Sequence, residues 1–548
     1  MKSELTHQKL RGGYYTPKPI TDFITRWAVS SPTATILEPS CGDGNFLESM
    51  AQTYRERGLE DRDRISRQIC AIEFDPEEAR KAQERLESLG IPAGGAVRNG
   101  DFFSYCRNFI DGGVRFEAIV GNPPFIRYQS FMEEHRKLAF EIMQEAGLTP
   151  NRFTNAWVPF LIASSLLLTD KGRMGMVVPA ELFQVGYAAQ TRLFLSDYFR
   201  KLTIITFKKL VFSEINQEVV LLLCEKDGDR HSGIRVVELE EMGDLQAFDP
   251  KDLSNIELKP LDHTSEKWTQ YYLTADEITL LRKWRTHPEI AVSGDILDVD
   301  VGVVTGLNEF FALNELQVAK NKLGAHTKRI ITKSAHLEGV VMTEEDWADN
   351  VARQYATALL HLPNVPFSEQ AEEVRQYIVS GEKQGVHTGY KCRIRKNWFV
   401  VPSVWVPDAF MLRQVHSYPK IILNEAQATC TDTVHRVRFK EGYEGARVSA
   451  AFLNSLTLAF SEVTGRSYGA GVLTFEPSET ESLPLPLRGA DKLDVEQIDQ
   501  LIRFNRIEEV LEITDKALLI DGLGLAREEA LALRKIWRKL RDRRINRR

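Results

Sequence analysis

The segment Gly121-Asn122-Pro123-Pro124-Phe125 directly follows an apolar, strand-like run, Phe116–Val120. Two consecutive prolines fix the backbone and remove two N–H donors. The Pro123 carbonyl is thereby left to accept from a ligand, and the Asn122 amide oxygen is a second acceptor beside it. Phe125 adds a flat apolar face. Two acceptors and one aromatic face suit a planar base that carries an exocyclic amino group.

Upstream, Ile36 to Leu47 reads as a strand, an acid (Glu38), then Gly42-x-Gly44 and a helix. Glycines there let the chain turn tightly and let a ligand approach the backbone. A dinucleotide fingerprint requires a third glycine three residues on; that position is Leu47, which opposes a nicotinamide-dependent dehydrogenase. The next strand ends in Glu73-Phe74-Asp75. Glu73 stands where an acid accepts two ribose hydroxyls, whereas Asp75, just before Pro76, reads as a helix cap. Asn99-Gly100-Asp101-Phe102 precedes the Phe116–Val120 strand. An acid beside an aromatic suits an adenine ring, gripped by its amino group and by its face. These turns describe one pocket at the carboxyl edge of a sheet, where open α/β sheets bind ligands.

Such turns need strands beneath them and helices between them. Thr35–Glu38, Gln68–Phe74, Phe116–Val120, Arg173–Val178, Leu202–Phe207 and Glu218–Cys224 read as strands. Phe46–Arg57, Pro76–Leu89 and Phe160–Leu168 read as helices. The alternation predicts an α/β fold, a mostly parallel sheet with helices on both faces. From about Asp229 to Lys267 the chain is charged and weakly periodic. Beyond it lie shorter β-type runs, Leu297–Val304, Trp398–Val406 and Lys420–Leu423, and then a helical remainder.

The chain has 548 residues, 43% apolar and 27% charged, which excludes a disordered or collagenous protein. With 70 basic and 77 acidic residues the formal charge is −7, so nucleic-acid binding must come from local patches. None of the six cysteines forms a C-x-x-C pair, which excludes a zinc ribbon and a dithiol redox site. Cysteines this sparse fit a reducing cytoplasm. No apolar run is long enough to span a membrane, and Met1–Arg11 has no apolar leader segment.

Residues 1 to about 225 resemble the amino-group DNA methyltransferases that use S-adenosylmethionine, and more narrowly the gamma-type adenine-N6 enzymes. That family orders a G-x-Y-x-T-P segment, the glycine turn, the ribose acid, the adenine acid, and NPP followed by Tyr or Phe. Here the first is Gly12-Gly13-Tyr14-Tyr15-Thr16-Pro17, and the others follow as quoted. The family's Val-Pro-Ala and Val-Phe runs match Val178-Pro179-Ala180 and Val211-Phe212. The resemblance implies a class I methyltransferase-type, Rossmann-like sheet. It implies that Tyr15 and Thr16 lie near the methionine end of the cofactor, with Glu38, Gly42 and Gly44 forming the turn beneath it. Glu73 would hold the ribose hydroxyls, Asp101 and Phe102 the adenine, and Phe160 would line the adenine pocket. Asn122 and Pro123 would accept hydrogen bonds from the target N6 amino group. Phe125 would stack on the flipped base and Phe212 would close its other face. Phe125 replaces the commoner Tyr, so stacking is kept and a phenol hydroxyl is absent. Because the sulfonium is already a strong electrophile, neither a protein nucleophile nor a metal is expected.

A methyltransferase core needs only about 250 residues. Three later segments resemble the target-recognition regions behind adenine-N6 cores: Val301 to Asn308, Tyr418 to Asn424 and Gly465 to Gly471. The expected order is a catalytic domain at 1–245, a linker at 246–270, an α+β target-recognition domain at 271–488 and a helical segment with a basic end at 489–548. Candidate DNA contacts are Arg393, Arg395 and Lys396, beside Trp398, and Arg436, Arg438 and Lys440, which alternate on one strand face. Arg534 to Arg548 holds nine basic residues and one acid on an amphipathic helix, read either as a clamp on the DNA backbone or as a helix docked on the body. The expected partner is double-stranded DNA, with a cognate restriction endonuclease protected against, for a cytoplasmic monomer that does not bind membranes. The alternatives are an RNA or protein amide/amine N-methyltransferase with the same cofactor domain, or a fused or partnered restriction enzyme.

Overall fold

The apolar runs of the first half assemble into one eight-stranded sheet in the computed structural model, which describes residues 15–126, 133–151, 154–209, 211, 218–226, 232–261, 263, 267–468 and 471–546. Its strands are β1 (Ile36–Glu38), β2 (Ile69–Glu73), β3 (Val97–Asn99), β4 (Phe116–Gly121), β5 (Leu168–Pro179), β6 (Lys201–Phe207), β7 (Val219–Glu225) and β8 (Gly233–Leu239). Their order is β3-β2-β1-β4-β5-β7-β6-β8. The first five run parallel, β7 is inserted antiparallel between β5 and β6, and β8 is parallel to β6. This is the α/β, class I methyltransferase-type sheet that the resemblance implies. Parallel strands are covered on both faces, so β1 is buried throughout and reads as continuous apolar sequence up to its terminal acid. Strand order reverses at β1, and the crevice beside β1 and β4 is the ligand position of such sheets.

The helices that bear on the site are α1 (Lys18–Ala28), α2 (Asn45–Glu56), α3 (Pro76–Ser88), α4 (Phe102–Asp111), α5 (Glu133–Glu145) and α6 (Trp157–Leu166). Asp75 caps α3, accepting from the N–H groups of Glu77 and Glu78 at 2.8 and 3.1 Å, and Pro76 occupies the first helical turn, where no N–H is needed. The helix α6 is buried nearly all round, which explains its largely apolar sequence.

Two strands depart from the expectation. Strand β3 has only three residues, too few to show a period, so Phe116–Val120 lies in the fourth strand and not the third. Strand β8 lies inside the charged stretch. Its Arg235 is 5% exposed, and the guanidinium donates to Thr203 Oγ1 at 2.8 Å and to the Leu253 carbonyl. A buried, paired arginine thus hides a strand from the hydrophobic pattern. The stretch 246–270 is likewise no open connection: Leu253 and Trp268 are buried, and Phe248 packs against Phe23 of α1 at 6.1 Å. It belongs to the first of two compact units, Met1–Ala275, the second being Asp276–Asn546.

The second unit carries a five-stranded sheet of β9 (Leu297–Val301), β10 (Val341–Met342), β11 (Ala409–Leu412), β12 (Ile421–Asn424) and β13 (Val434–Phe439), ordered β9-β13-β11-β12-β10. The run Trp398–Val406 is not a strand. Pro402 supplies no N–H, and Ser403 sits at φ 56°, outside the extended region. Near its end the unit packs α7 (Ser455–Thr464) against α8 (Arg527–Ile545). Leu533, Ile536, Trp537 and Leu540 form the buried stripe of α8, as their spacing predicts. Of the two readings of this basic helix, the structure shows the docked one. Arg544 and Glu462 are 3% and 2% exposed and paired at 2.7 Å, and Arg534 meets Asp515 at 2.8 Å. Arg538 pairs with Glu508, and Lys539 with Glu277. Most of the helix's described cations are therefore committed to acids of their own unit.

Candidate active site

The turn after β1 is built on two left-handed glycines, Gly42 at φ 53° and Gly44 at φ 91°. A Cβ at Gly44 would lie 3.1 Å from both Ala82 Cα of α3 and Leu47 Cδ1, so close helix packing and backbone conformation both demand glycine there. At Gly42 the added atom would meet nothing within 4 Å, which leaves the turn's outer side open. The Gly42 N–H donates to Glu73 Oε2 at 2.8 Å, and the Asp75 N–H donates to Glu73 Oε1 at 2.9 Å. The acid at the end of β2 is thus tied to the glycine turn of β1. Burial pushes the Glu73 carboxyl up, with the two N–H groups opposing the shift.

Glu38 is 1% exposed, and its Oε2 has no donor among the described residues. Burial first, then the nearby Glu73 and Asp43, hold this carboxyl well above the usual range. Asp43 is ion-paired with Arg85 of α3 at 2.6 Å. Acids crowded at one turn, one of them with an orphaned buried oxygen, suit a cationic, hydroxyl-rich ligand and repel a phosphate. S-adenosylmethionine fits that donor set, with its ammonium, its sulfonium and its two ribose hydroxyls.

A stability prediction arises here. The folded-state value of Glu38 is raised above its ordinary 4.5, so its contribution to stability is lost as pH rises through the raised value. Glu38→Gln should therefore stabilise the first unit at pH 8 by about 1–2 kcal/mol, and by progressively less as pH falls towards that of the protonated carboxyl. Cofactor affinity should fall at least about tenfold, the scale of one lost charge-assisted hydrogen bond. Thermal unfolding across pH, with calorimetric titration of S-adenosylhomocysteine, checks both halves.

Asp101 caps α4. Its Oδ2 accepts from the Ser104 N–H at 2.8 Å and from Ser104 Oγ at 2.9 Å, and its Oδ1 lies 3.0 Å from His135 Nδ1. Phe102 and Phe160 are 2% and 8% exposed and stack on each other with centroids 5.1 Å apart. Phe103 packs edge-on against the same Phe160 ring at 4.8 Å. Phe102 and Phe160 therefore form a buried core pair, while Phe74, directly after β2, is 52% exposed. Sequence reasoning passed over Phe74, although its place directly after Glu73 was the available signal.

The chain leaves β4 through Gly121, where an added Cβ would lie 3.3 Å from Pro39 Cδ. Ser40 Oγ then donates to the Asn122 carbonyl at 3.4 Å, tying this loop to the glycine turn. Pro123 is buried, and Asn122 and Phe125 are half-buried, with Phe125 packed against the core beneath the sheet. The Ala156 N–H holds the Ile126 carbonyl at 2.9 Å and fixes the loop's far end. Thr16 is buried, and its carbonyl accepts from Asn45 Nδ2 at 3.1 Å. Tyr15 is exposed, with its hydroxyl 3.1 Å from Glu78 of α3. Phe212 lies outside the described residues. Glu38 and Glu73 end their strands, and Gly42, Gly44, Asp101, Asn122 and Pro123 follow strands, all at the carboxyl edge of one sheet; Thr16 is tied to the helix after the glycine turn through Asn45.

The basic residues of the second unit separate into two kinds. Arg393, Lys396, Arg438 and Lys440 are exposed. Arg395 is turned inward, donating to the Val304 carbonyl at 2.8 Å, with its guanidinium 5.7 Å from the Phe311 ring centre. Arg436 is 5% exposed and donates to the carbonyls of Val301 and Ser403 at 3.1 and 2.7 Å. Arg436 and Arg438 share the ring of Trp405, at 4.4 and 4.6 Å, so they do point to one face of β13. Lys440 lies past the end of that strand, with its ammonium on the Gly294 carbonyl and 3.7 Å from Asp298. Arg395 and Arg436 thus hold loops with the groups that a base edge would need.

Residues 3–299 match the family described as N-6 DNA Methylase, and residues 265–519 match the C-terminal domain of type II methyltransferase M.Eco57I. The type II methyltransferase M.AccI of Acinetobacter calcoaceticus is 21% identical, over 91% of this chain and 90% of its own. M.XamI of Xanthomonas campestris pv. amaranthicola is also 21% identical, over 88% and 86%. Among solved structures, the type IIL restriction–modification enzyme MmeI in complex with DNA aligns with a TM-score of 0.56 at 12% identity, over 96% of this chain and 75% of that one. A nuclease-deletion mutant of the type ISP enzyme LlaGI, with a DNA substrate mimic, aligns with a TM-score of 0.51 at 14% identity, over 92% and 47%. At these identities the structural likeness concerns the fold. The family match covers more than half of the chain: this protein belongs to the N-6 DNA methylases, a family of S-adenosylmethionine-dependent DNA methyltransferases.

Proposed function

We propose that the chain methylates N6 of an adenine flipped out of double-stranded DNA at a specific site, protecting host DNA against a cognate endonuclease. The carrying observation is that Asn122-Pro123 leaves β4 beside the turn that holds Glu38 and is tied to it through Ser40. It supports the reading because amino-group acceptors at that position would stand next to the acids suited to the cofactor.

In this reading S-adenosylmethionine supplies an electrophilic methyl group. The chain's own residues do the rest. The Asn122 side-chain oxygen and the Pro123 carbonyl accept the two amino hydrogens of adenine, pull them out of the ring plane and localise the lone pair on nitrogen. They also stabilise the positive charge that develops there, in a site arranged before the reaction. Phe125 stacks on the flipped base, contributing about 1–3 kcal/mol towards an unstacking cost of a few kcal/mol. Glu73 accepts from the ribose hydroxyls, and Oδ1 of Asp101 accepts from the cofactor's amino group beside Phe74. Alignment of nitrogen, methyl carbon and sulfur is the protein's main contribution.

Exposed Arg393, Lys396, Arg438 and Lys440 serve as DNA contacts, while Arg395 and Arg436 position loops around them. The protein acts as a cytoplasmic monomer. The test is long-read sequencing of DNA from cells that make the wild type or Asn122→Ala. One recurrent motif carrying N6-methyladenine in the wild type alone is the expected result. Unmodified DNA in cells holding soluble protein that binds S-adenosylmethionine overturns the reading.

A further inference from the structure

His135 makes, with this chain, the contacts that a purine amine would make. Its Nδ1 lies 3.0 Å from Asp101 Oδ1, and its ring meets the exposed Phe74 edge to face at 4.9 Å. The other Asp101 oxygen is already held by the N–H and hydroxyl of Ser104, so the rotamer of Asp101 does not need His135. Only Oδ1 is left to accept a ligand's amino group. The two side chains are 20% and 14% exposed, which leaves little room for a second donor at that oxygen.

We propose that His135 occupies the adenine subsite in the absence of cofactor and must release Asp101 before S-adenosylmethionine can bind. The inference rests on the assignment of Asp101 to the cofactor's adenine. It adds a competitor carried on α5, eleven residues beyond the Asn122 tetrapeptide's Pro124 in the chain. The geometry makes cofactor affinity depend on the protonation of one imidazole. A protonated His135 holds the Asp101 carboxylate as an ion pair, and a neutral one only as a hydrogen bond. Acidification therefore weakens cofactor binding. The other charges of its own helix near it are Glu133, Glu134, Arg136 and Lys137. Of the helices packed against α5, α6 carries no Asp, Glu, Lys, Arg or His, and α4 adds Arg107, which is paired with Glu145 at the far end of α5, and Asp111. Asp75 stands beside Phe74. Asp101 is the acid seated on the imidazole.

The experiment is calorimetric titration of the full chain with S-adenosylhomocysteine between pH 5.5 and 8.5, a readout that needs no turnover. Wild-type affinity should fall as pH is lowered. His135→Ala should bind more tightly at the acidic end, by about tenfold, the scale of one charge-assisted hydrogen bond, and should lose most of the pH dependence. His135→Gln keeps a donor of similar reach without a titrating group, so it should bind less tightly than His135→Ala and show the same flat profile. Equal or weaker binding by His135→Ala at every pH overturns the competition. Asp101→Ser keeps an N-cap acceptor for α4 but removes the outer oxygen, and should weaken binding in both backgrounds. Unchanged binding by Asp101→Ser overturns the adenine assignment itself, and with it the role of His135. Weakened binding there with no effect of His135 substitution overturns only the latter.

Discussion

Asn122→Ala is expected to lower kcat for methyl transfer by at least about 10²–10³-fold, while changing the affinity for S-adenosylhomocysteine by less than about threefold. The magnitude is that of removing one preorganised hydrogen-bonding group aimed at developing charge. The adenine amine is nearly planar and delocalised in the ground state and carries positive charge only as the methyl arrives. An acceptor at Asn122 is therefore worth more in the transition state than in the bound substrate, and its loss appears in kcat more than in KM. In the proposed reading the cofactor instead meets the Glu38, Glu73 and Asp101 turns, which Asn122→Ala leaves in place. Single-turnover transfer of labelled methyl, with calorimetry on the same preparation, separates the two. Parallel loss of cofactor binding and transfer would show that Asn122 supports the fold of the site and does not act on the amine.

Arg544→Leu is expected to destabilise the second unit by about 3–5 kcal/mol, the scale of breaking a buried ion pair. The Arg544 side chain is 3% exposed and makes two hydrogen bonds to Glu462, at 2.9 and 2.7 Å. It also donates to the carbonyls of His416 and Gly471. Burial first, with Asp542 behind it, pushes the Glu462 carboxyl up, and Arg544, helped by Arg541, opposes that shift. Removing the arginine leaves a buried carboxyl and two carbonyls unsatisfied. Arg544→Leu combined with Glu462→Leu removes both charges and should recover more than half of the loss. Denaturant unfolding should be followed with probes in each unit, because two compact units need not unfold together. If the double variant is no more stable than Arg544→Leu, the carbonyl contacts, and not the ion pair, hold α8.

Local conformational demands made much of the catalytic unit legible. The left-handed turn at Gly42 and Gly44, the cap at Asp75 and the double proline after β4 each follow from the backbone limits of a few adjacent residues. The strands beneath them are buried on both faces, so their apolar runs mark them without reference to anything distant. What stayed hidden depended on remote partners. Arg235 looks like a surface charge until Thr203 and the Leu253 carbonyl are found around it. His135 carries no motif and meets Asp101 only through the packing of α5 on α4. Alternation correctly put Arg436 and Arg438 on one face of β13, but it could not show that Arg436 is buried and Arg438 exposed, because the covering segment at Trp405 comes from elsewhere. The basic residues of α8 carried the same ambiguity, since a charge run reads alike whether it faces solvent or meets acids supplied from Glu277 to Glu508.

The docking of α8 has a consequence for how the chain emerges from the ribosome. All eight strands of the first sheet have been made by Leu239, nearly three hundred residues before α8 begins at Arg527. At about 5–20 residues per second that interval lasts tens of seconds, long enough for the first unit to fold and load cofactor. Helix α7 is complete at Thr464, about sixty residues before α8 begins, and until α8 is made its Glu462 lacks the arginine that compensates it in the folded unit. A nascent chain therefore passes through a stage in which the first unit can fold while the second is still incomplete. Translation stalled in that window would leave an exposed helix face for chaperones to cover.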